Sequence, residues 1–234
     1  MANFLLIETA TRVCSVALSS DGKLSALRES NDKNSHSATV TLFIEEVMHQ
    51  AEMPFGQLDA VVVSMGPGSY TGLRIGVSTA KGICYAIDKP LIAISTLQAM
   101  ASGVETGLET LGFPTLLCPM IDARRMEVYT SLYHPDLSTF REIRAEIIHE
   151  NSFDEVLAEH QIWFFGDGAE KCKPVLGLHP NARFMDDFQP SASYMIRLAE
   201  DKFRHGDFED VVYFEPYYLK DFIPGIPRVK GLND

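Results

Sequence analysis

The chain has 234 residues, of which 46% are hydrophobic and 22% charged, and its formal net charge is −12. A chain of this length can bury a sizeable core in one large domain or two small ones. The acidic balance argues against a general nucleic-acid binder, because neutralising phosphates requires clustered lysine and arginine. The longest apolar runs fall far short of the roughly 20 residues that cross a bilayer. Residues 1–10 lack the basic segment and cleavage site of a signal peptide, so we expect a cytoplasmic protein without membrane contact.

The cysteines and histidines argue against a disulfide framework and a metal site. The four cysteines form no Cys-x-x-Cys pair, and the seven histidines form no His-x-x-x-His or His-Glu-x-x-His pattern. We therefore expect free, buried thiols. The cysteines are Cys14, Cys84, Cys118 and Cys172.

The first half of the chain alternates strands and helices. Short apolar runs bounded by turn residues predict strands, and apolar residues three and four apart predict helices. The predicted elements are strands at 4–8, 14–19 and 24–28, a helix from Ser35 to Met53 capped by Asn34 or Ser35, a strand at 60–64, a helix at 71–87 and a strand at 91–94.

The second half repeats this order of motifs. The stretch "IDARRMEV" echoes "IETATRVCSV", and "IWFFGDGAEKC" echoes "VVVSMGPGSYTG". Strands are predicted at 115–121 and 126–133, a further strand and helix at 138–160, and a helix at 191–205. Two echoes in the same order indicate a duplicated unit, and hence an α/β fold with two similar lobes. The aromatic and Pro-Gly-rich tail from Phe208 is expected to be loose at its end unless a partner holds it.

The glycine-rich turn at 66–72 has the layout of a phosphate-binding loop but not its details. It lacks the lysine of a P-loop, and its Gly-x-Gly-x-x-x-Gly spacing differs from the dinucleotide fingerprint. Pro67 also removes an amide that a phosphate could use. Direct phosphate binding is therefore disfavoured, although amides at a helix start still attract anions.

The helix that follows carries a strip of small residues. Gly72, Gly76 and Ala80 are four apart, so they lie on one face along which another backbone can approach closely. Gly76 and Gly82 inside this helix each cost about 1 kcal/mol relative to alanine, so a compensating contact is expected. Two alternatives stay open: packing within one lobe, or an interface between chains.

Glu8 and Asp122 each follow a predicted strand, where catalytic carboxylates often stand in α/β folds. Each can equally cap the turn that it precedes. The two alternatives are left open from the residues alone.

Three stretches carry a family resemblance: "MGPGSYTGLRIGVSTAKGICYAIDKPLIAISTLQAMA", "MIDARRMEVYTSLY" and "FFGDGA". They resemble the TsaB (YeaZ) family, a branch of the M22 glycoprotease-like proteins. The match is specific from Phe4 to about Tyr133, thins through Asp167 and is poor in the tail. It implies the fold of actin, sugar kinases and Hsp70, with duplicated ribonuclease H-like lobes and mixed sheets flanked by helices. We expect an N-terminal lobe over 1–105 and a C-terminal lobe over 106–234, whose tail packs back on the first.

The resemblance also implies a function. Proteins of this family pair with the related catalytic protein TsaD and, with TsaE, support formation of threonylcarbamoyladenosine at position 37 of tRNAs that read ANN codons. TsaD-type chains carry a His-x-x-x-His metal pair where this chain has Thr96 and Met100. A thioether and a hydroxyl are poor ligands for a hard metal ion, so a noncatalytic subunit is expected. It would form a homodimer when alone and contact tRNA only indirectly.

The resemblance implies no cofactor bound by this chain alone, with ATP and a metal ion on the partner proteins. The alternatives are an M22-type metallopeptidase, a stand-alone ATPase and a homodimeric scaffold unrelated to tRNA. The implied partner interface comprises Thr39, Phe43, Tyr70, Thr71, Gly72, Leu73, Arg74, Gly76, Val77 and Ala80. Weak nucleotide or anion contacts are expected at Glu8, Thr9, Gly66, Gly68 and Asp122.

Overall fold

The strands of the two halves form two five-stranded mixed sheets in a computed structural model, which describes residues 2–31, 36–104 and 114–220. The strands are β1 (Asn3–Glu8), β2 (Cys14–Ser20), β3 (Lys23–Ser30), β4 (Ala60–Gly66), β5 (Leu91–Ser95), β6 (Thr115–Asp122), β7 (Glu127–Tyr133), β8 (Thr139–Ile147), β9 (Gln161–Phe165) and β10 (Ala182–Met185). The helices are α1 (His36–Gln50), α2 (Tyr70–Ile87), α3 (Thr96–Ser102), α4 (Asp154–Leu157), α5 (Ala169–Leu176) and α6 (Ile196–His205).

The two sheets have the same topology. The strand order is β3-β2-β1-β4-β5 in the first and β8-β7-β6-β9-β10 in the second. In each, the first two strands form an antiparallel hairpin and the fourth strand runs parallel to the first. The equivalent central pairings include Leu6 with Val62 and Leu117 with Trp163. This repetition confirms the predicted duplicated α/β fold.

Helices cover both faces of the first sheet because each presents an apolar stripe. Helix α1 buries Val40, Ile44 and Val47 at helical spacing, and α2 joins it on the same core. The opposite face is covered by α6 and by a 3₁₀ turn, Ala192–Met195, that precedes it. Helix α6, although it follows the second sheet in the sequence, therefore belongs to the core of the first lobe.

Helix α3 joins the two lobes. Its residues Leu97, Met100 and Ala101 are buried in one apolar cluster with Leu117 and Phe165 of the second sheet. The hydroxyl of Ser95 caps the helix by accepting a hydrogen bond from the Gln98 amide at 3.4 Å. A continuous core therefore spans the contact between the lobes.

The segment that follows α6 packs against the chain and is not loose. We call residues 207–220 the C-terminal strap. Val211 and Phe214 contact the core of the first lobe, and Lys220 forms an ion pair with Glu127 of the second. The prediction of a loose end refers to residues outside the described range, as do the predicted caps at Asn34 and Ser35. The predicted lobe boundary at 105 also lies outside it and stays a prediction.

All four cysteines are free and buried, as predicted. Burial raises the pKa of the Cys14 thiol to about 11, and the nearby carboxyl of Glu8 adds to the shift. Among the described helices, none is long and apolar enough to cross a membrane.

Candidate functional site

The glycines of the turn before α2 are required by a close approach within the first lobe. A Cβ at Gly68 would lie 2.3 Å from the carbonyl oxygen of Ala10, and one at Gly72 would lie 2.1 Å from that of Thr9. At Gly76 the added atom would lie 2.3 Å from Thr9 Oγ1. The turn after β1 therefore presses directly on the start of α2.

Hydrogen bonds fix this contact. The Ser69 amide donates to the Ala10 carbonyl at 2.6 Å, and the Thr9 hydroxyl donates to the Gly72 carbonyl at 2.8 Å. The hydroxyl of Ser69 caps the helix by accepting from the Gly72 amide at 3.3 Å. The glycines thus allow one backbone to lie on another without a side chain between them.

The predicted interface strip is consequently corrected. Gly72, Gly76 and Ala80 are buried inside the first lobe, so packing within the lobe is the right alternative for them. Leu73 and Val77, also predicted as interface, are 1% and 3% exposed because they point into the core. Their assignment to a partner contact is wrong for the same reason.

The opposite face of α2 is open and rich in small residues. Thr71, Arg74, Ser78 and Gly82 are exposed there, and Tyr85 is 85% exposed. A Cβ at Gly82 would meet nothing within 4 Å, so no contact within the described ranges accounts for a glycine in the helix interior. We call these five residues the outer face of α2.

Sequence reasoning expected a compensating contact for Gly82 but missed Ser78 and Tyr85, although a signal was present. Leu73, Val77, Ala80 and Cys84 follow one another at spacings of three and four, which identifies the buried face of the helix. The residues on the opposite side of the helix, which do not share this spacing, had to face the solvent.

The remaining predicted interface residues lie at or near this surface. Tyr70 and Thr39 are half-buried, and Phe43 of α1 packs at the edge of the core. Leu42 on α1 lies one position before Phe43 and is 51% exposed. The role of these residues in a partner contact stays a prediction.

The second lobe contains the same turn architecture. Gly66 is the last residue of β4 and Gly166 directly follows β9; their φ values of +115° and +98° lie in a region that favours glycine. A Cβ at Gly168 would lie 2.9 Å from the carbonyl carbon of Ile121, just as Gly68 presses on Ala10. The two Gly-x-Gly turns thus serve the same structural purpose in each lobe.

Glu8 and Asp122 both cap the turns that follow their strands. Oε1 of Glu8 accepts a hydrogen bond from the Ala10 amide at 2.5 Å, and Oδ1 of Asp122 accepts from the Arg124 amide at 2.8 Å. Burial raises the pKa of Glu8 from 4.5 to about 7, against the opposing effect of the Ala10 hydrogen bond. Of the two alternatives left open by the sequence, this geometry supports the turn cap.

A cleft of about 800 Å³ separates the two lobes. Its walls come from the turns after β1 and β6, the start of α2, Asp167 and the end of the C-terminal strap. Gly68 and Asp122, two of the predicted anion contacts, line it. Glu8 and Thr9 are 1% and 0% exposed and do not line it, which contradicts the prediction for them. Gly66 does not line it either, because the carbonyl oxygen of Tyr217 in the strap lies against it.

Charges of both signs face this cleft. Partial burial raises the pKa of Asp122, but hydrogen bonds from Lys171 and the Arg124 amide outweigh that effect and hold it below its usual value. The pKa of Asp167 lies above its usual value because burial outweighs the hydrogen bond that it accepts from the Asp122 amide at 2.9 Å. Arg12 lies close enough to influence both carboxylates. The cleft therefore has no uniform anion-attracting charge.

The positions of the implied metal pair are closed. Thr96 and Met100 are 0% and 1% exposed, and both lie within α3 between the lobes. A Cβ at Gly166 would lie 2.5 Å from Met100 Cε, so the thioether packs tightly against that glycine. These residues do not fit a divalent metal ion, since one is an apolar thioether in a packed core and the other a weakly ligating hydroxyl. Within the described ranges, no three His, Cys, Asp or Glu side chains group closely enough to hold a metal ion.

Comparison with known sequences identifies relatives that align with most of this chain. The family model "TsaD: tRNA N6-adenosine threonylcarbamoyltransferase" matches residues 29–173. The Escherichia coli protein named tRNA threonylcarbamoyladenosine biosynthesis protein TsaB is 30% identical over 93% of this chain and 94% of its own length. The Haemophilus influenzae protein of the same name is 30% identical over 93% of each chain.

Solved structures agree at the level of the fold. The crystal structure of a Pseudomonas aeruginosa protein with similarity to the peptidase YeaZ superposes with a TM-score of 0.78 at 22% identity. The superposition covers 94% of this chain and all of that one.

The repeated sheet topology, the interlobe cleft and the TsaD match define a two-lobed α/β protein with a duplicated five-stranded mixed sheet. Within that class, the full-length similarity to the two curated relatives is decisive. The chain belongs to the TsaB family of tRNA threonylcarbamoyladenosine biosynthesis proteins.

Proposed function

We propose that this chain serves threonylcarbamoyladenosine synthesis on tRNA as a noncatalytic subunit that pairs with TsaD. Its family membership supports the pathway, since its relatives are named as biosynthesis proteins for this modification. The buried Thr96 and Met100 support the noncatalytic role, because the family resemblance implies metal-binding histidines at these positions in TsaD-type chains. We expect TsaE in the same complex, and ATP and the metal ion on the partner proteins.

The main observation in support of pairing with TsaD is the exposed outer face of α2. Gly82 costs the helix about 1 kcal/mol relative to alanine. Among the residues that the structure describes, no packing partner on another element lies within 4 Å of an added Cβ to account for that cost. A second helix lying across Gly82 and Ser78 would account for it, since small side chains allow close helix packing. Tyr85 and Arg74 lie on either side of Ser78 and Gly82 along the helix, and both are residue types enriched at binding hot spots.

The charge of the chain supports an indirect contact with tRNA. A net charge of −12 opposes binding to a phosphate backbone, so partner subunits would hold the tRNA. The same outer face could pair two copies of this chain until TsaD replaces one of them. We expect the complex to work in the cytoplasm.

The experiment measures association with purified TsaD by analytical ultracentrifugation for Gly82→Arg and a matched control, Gly56→Arg. Both glycines are exposed and have no atom within 4 Å of an added Cβ, but Gly56 lies in a 3₁₀ turn outside α2. A long charged side chain on a close helix contact is expected to weaken binding by about tenfold or more. Arginine is a better helix former than glycine, so the isolated variant should stay folded.

Equal TsaD affinity for Gly82→Arg and Gly56→Arg would reject the outer face as the docking surface. The alternatives of a metallopeptidase and a stand-alone ATPase make a different prediction. Metal analysis and ATP calorimetry on the isolated chain would then detect bound metal or a heat of ATP binding.

A further inference from the structure

The C-terminal strap follows a fixed path across the first lobe. Its first contact extends the sheet, because the Glu209 amide donates a hydrogen bond to the Leu91 carbonyl of β5 at 2.9 Å. Lys81 of α2 then donates to the carbonyl oxygens of Val212 and Phe214, at 3.1 and 2.9 Å. Contacts to two different elements fix the direction of the strap as it approaches the cleft.

The end of the strap forms one wall of the cleft. The Tyr217 amide donates to the Met65 carbonyl at 2.8 Å, and the Tyr218 ring lies 5.0 Å from the Tyr70 ring, centroid to centroid. The carbonyl oxygen of Tyr217 lies only 2.7 Å from the point where a Cβ of Gly66 would stand. A glycine at this position therefore makes room for the strap.

Lys220 then crosses to the second lobe. Its ammonium group forms an ion pair with the carboxylate of Glu127 on β7. The two side chains are 45% and 21% exposed, and ion pairs this open to solvent contribute little each. Widening of the cleft must break this pair or detach Tyr217 and Tyr218 from the first lobe.

We infer that the C-terminal strap is a brace that holds the interlobe cleft closed through the Lys220–Glu127 pair. Helix α3 does not line the cleft, and the apolar cluster around it keeps the lobes joined when the brace opens. Release of the strap would therefore swing the lobes apart at the cleft without separating them. Because the closing contact is weak, closed and open states are both populated and small perturbations shift their ratio. This inference concerns the isolated chain and is independent of pairing with TsaD.

The test uses the full chain with spin labels at Lys23→Cys and Glu155→Cys, exposed positions on the first and second lobes. Because the native cysteines are buried, only the introduced ones should react. Lys220→Glu should change the distance distribution between the labels. It should also speed hydrogen exchange of the Tyr217 amide by about two- to fivefold, the effect of an exposed ion pair. The charge swap that adds Glu127→Lys should restore both measurements.

A control breaks an ion pair elsewhere whose lysine is as exposed as Lys220. Lys173 pairs with Asp186 in the second lobe at 2.7 Å, with side chains 46% and 69% exposed, and neither residue lines the interlobe cleft. Lys173→Glu should leave the interlobe distances and the Tyr217 exchange rate unchanged.

Unchanged interlobe distances in Lys220→Glu would overturn the inference, even if the Tyr217 amide exchanged faster, because the strap would then be a surface attachment only. Failure of the charge swap to restore the distances would also overturn it. Loss of TsaD binding in the outer-face variants would not affect the interlobe distances or the Tyr217 exchange rate. The experiments can therefore reject the brace and the pairing with TsaD separately.

Discussion

Adding one methyl group at Gly76 should destabilise the first lobe, whereas the same change at Gly82 should stabilise it. Alanine is favoured over glycine in a helix interior by about 1 kcal/mol. Gly82 should show this full gain, since a Cβ there meets nothing within 4 Å. At Gly76 the new atom would lie 2.3 Å from Thr9 Oγ1, and overpacking of this kind costs about 1 to 3 kcal/mol. The free energies of unfolding of the two variants should therefore differ by about 1 to 3 kcal/mol.

The clash has a defined partner, so it can be relieved. Thr9→Ala removes Oγ1 and leaves its own Cβ at 3.5 Å from the added atom, an ordinary contact. That change alone breaks the hydrogen bond to the Gly72 carbonyl and should cost about 1 kcal/mol. The double variant of Thr9→Ala with Gly76→Ala should be more stable than the sum of the single effects by about 1 kcal/mol or more.

Urea and thermal unfolding measure these differences. For a chain of this size, 1 kcal/mol corresponds to a shift in Tm of about 2 to 4 °C. If Gly76→Ala raised the Tm as much as Gly82→Ala, the buried strip would not pack against Thr9. The interface alternative for Gly76 would then regain support.

Three further changes test the core, the helix cap and the buried carboxyl. Met100→Ala should lower the free energy of unfolding in urea by about 2 to 5 kcal/mol, because the side chain is fully buried between the lobes. Ser69→Ala should cost about 1 kcal/mol in the same assay through loss of the α2 cap. Glu8 has a raised pKa, so its stabilising effect is complete below pH 4.5 and is lost as the pH rises through about 7. Relative to Glu8→Gln, the parent chain should lose about 3 kcal/mol over that window. A cost below about 1 kcal/mol for Met100→Ala would indicate a loosely packed lobe contact. No effect of Ser69→Ala would argue against the cap, and parallel pH profiles for the parent and Glu8→Gln would show that Glu8 is not buried.

The fold could be predicted largely because its strands are continuous apolar runs and its motifs repeat. The acids at 8 and 122 and the two Gly-x-Gly turns occupy equivalent places in the two sheets. Two elements were missed, α3 with seven residues and β10 with four. Both are too short for a helical or alternating pattern to develop, and β10 has only β9 as its strand neighbour.

The candidate site was harder to predict because glycine spacing does not identify the contacting backbone. Gly72 and Gly76 are explained by Thr9, a residue more than sixty positions away along the chain. The strip was correctly recognised as a close contact, but its partner belongs to the same lobe. Gly82, which has no such partner, was the glycine that marked an open surface. The tail was expected to pack back on the first lobe, but the path of the strap was missed. Most of its hydrogen bonds to that lobe join backbone groups or run from Lys81 to carbonyls, which leave no sequence pattern.

We propose that TsaD needs this chain as a noncatalytic subunit. The most direct measurement is the rate of threonylcarbamoyladenosine formation on tRNA by purified partners with ATP, threonine and bicarbonate, with and without this chain. We expect the modification only when the chain is present, and we expect the Gly82→Arg variant to support it poorly while Gly56→Arg supports it fully. The same rate without the chain would contradict the account.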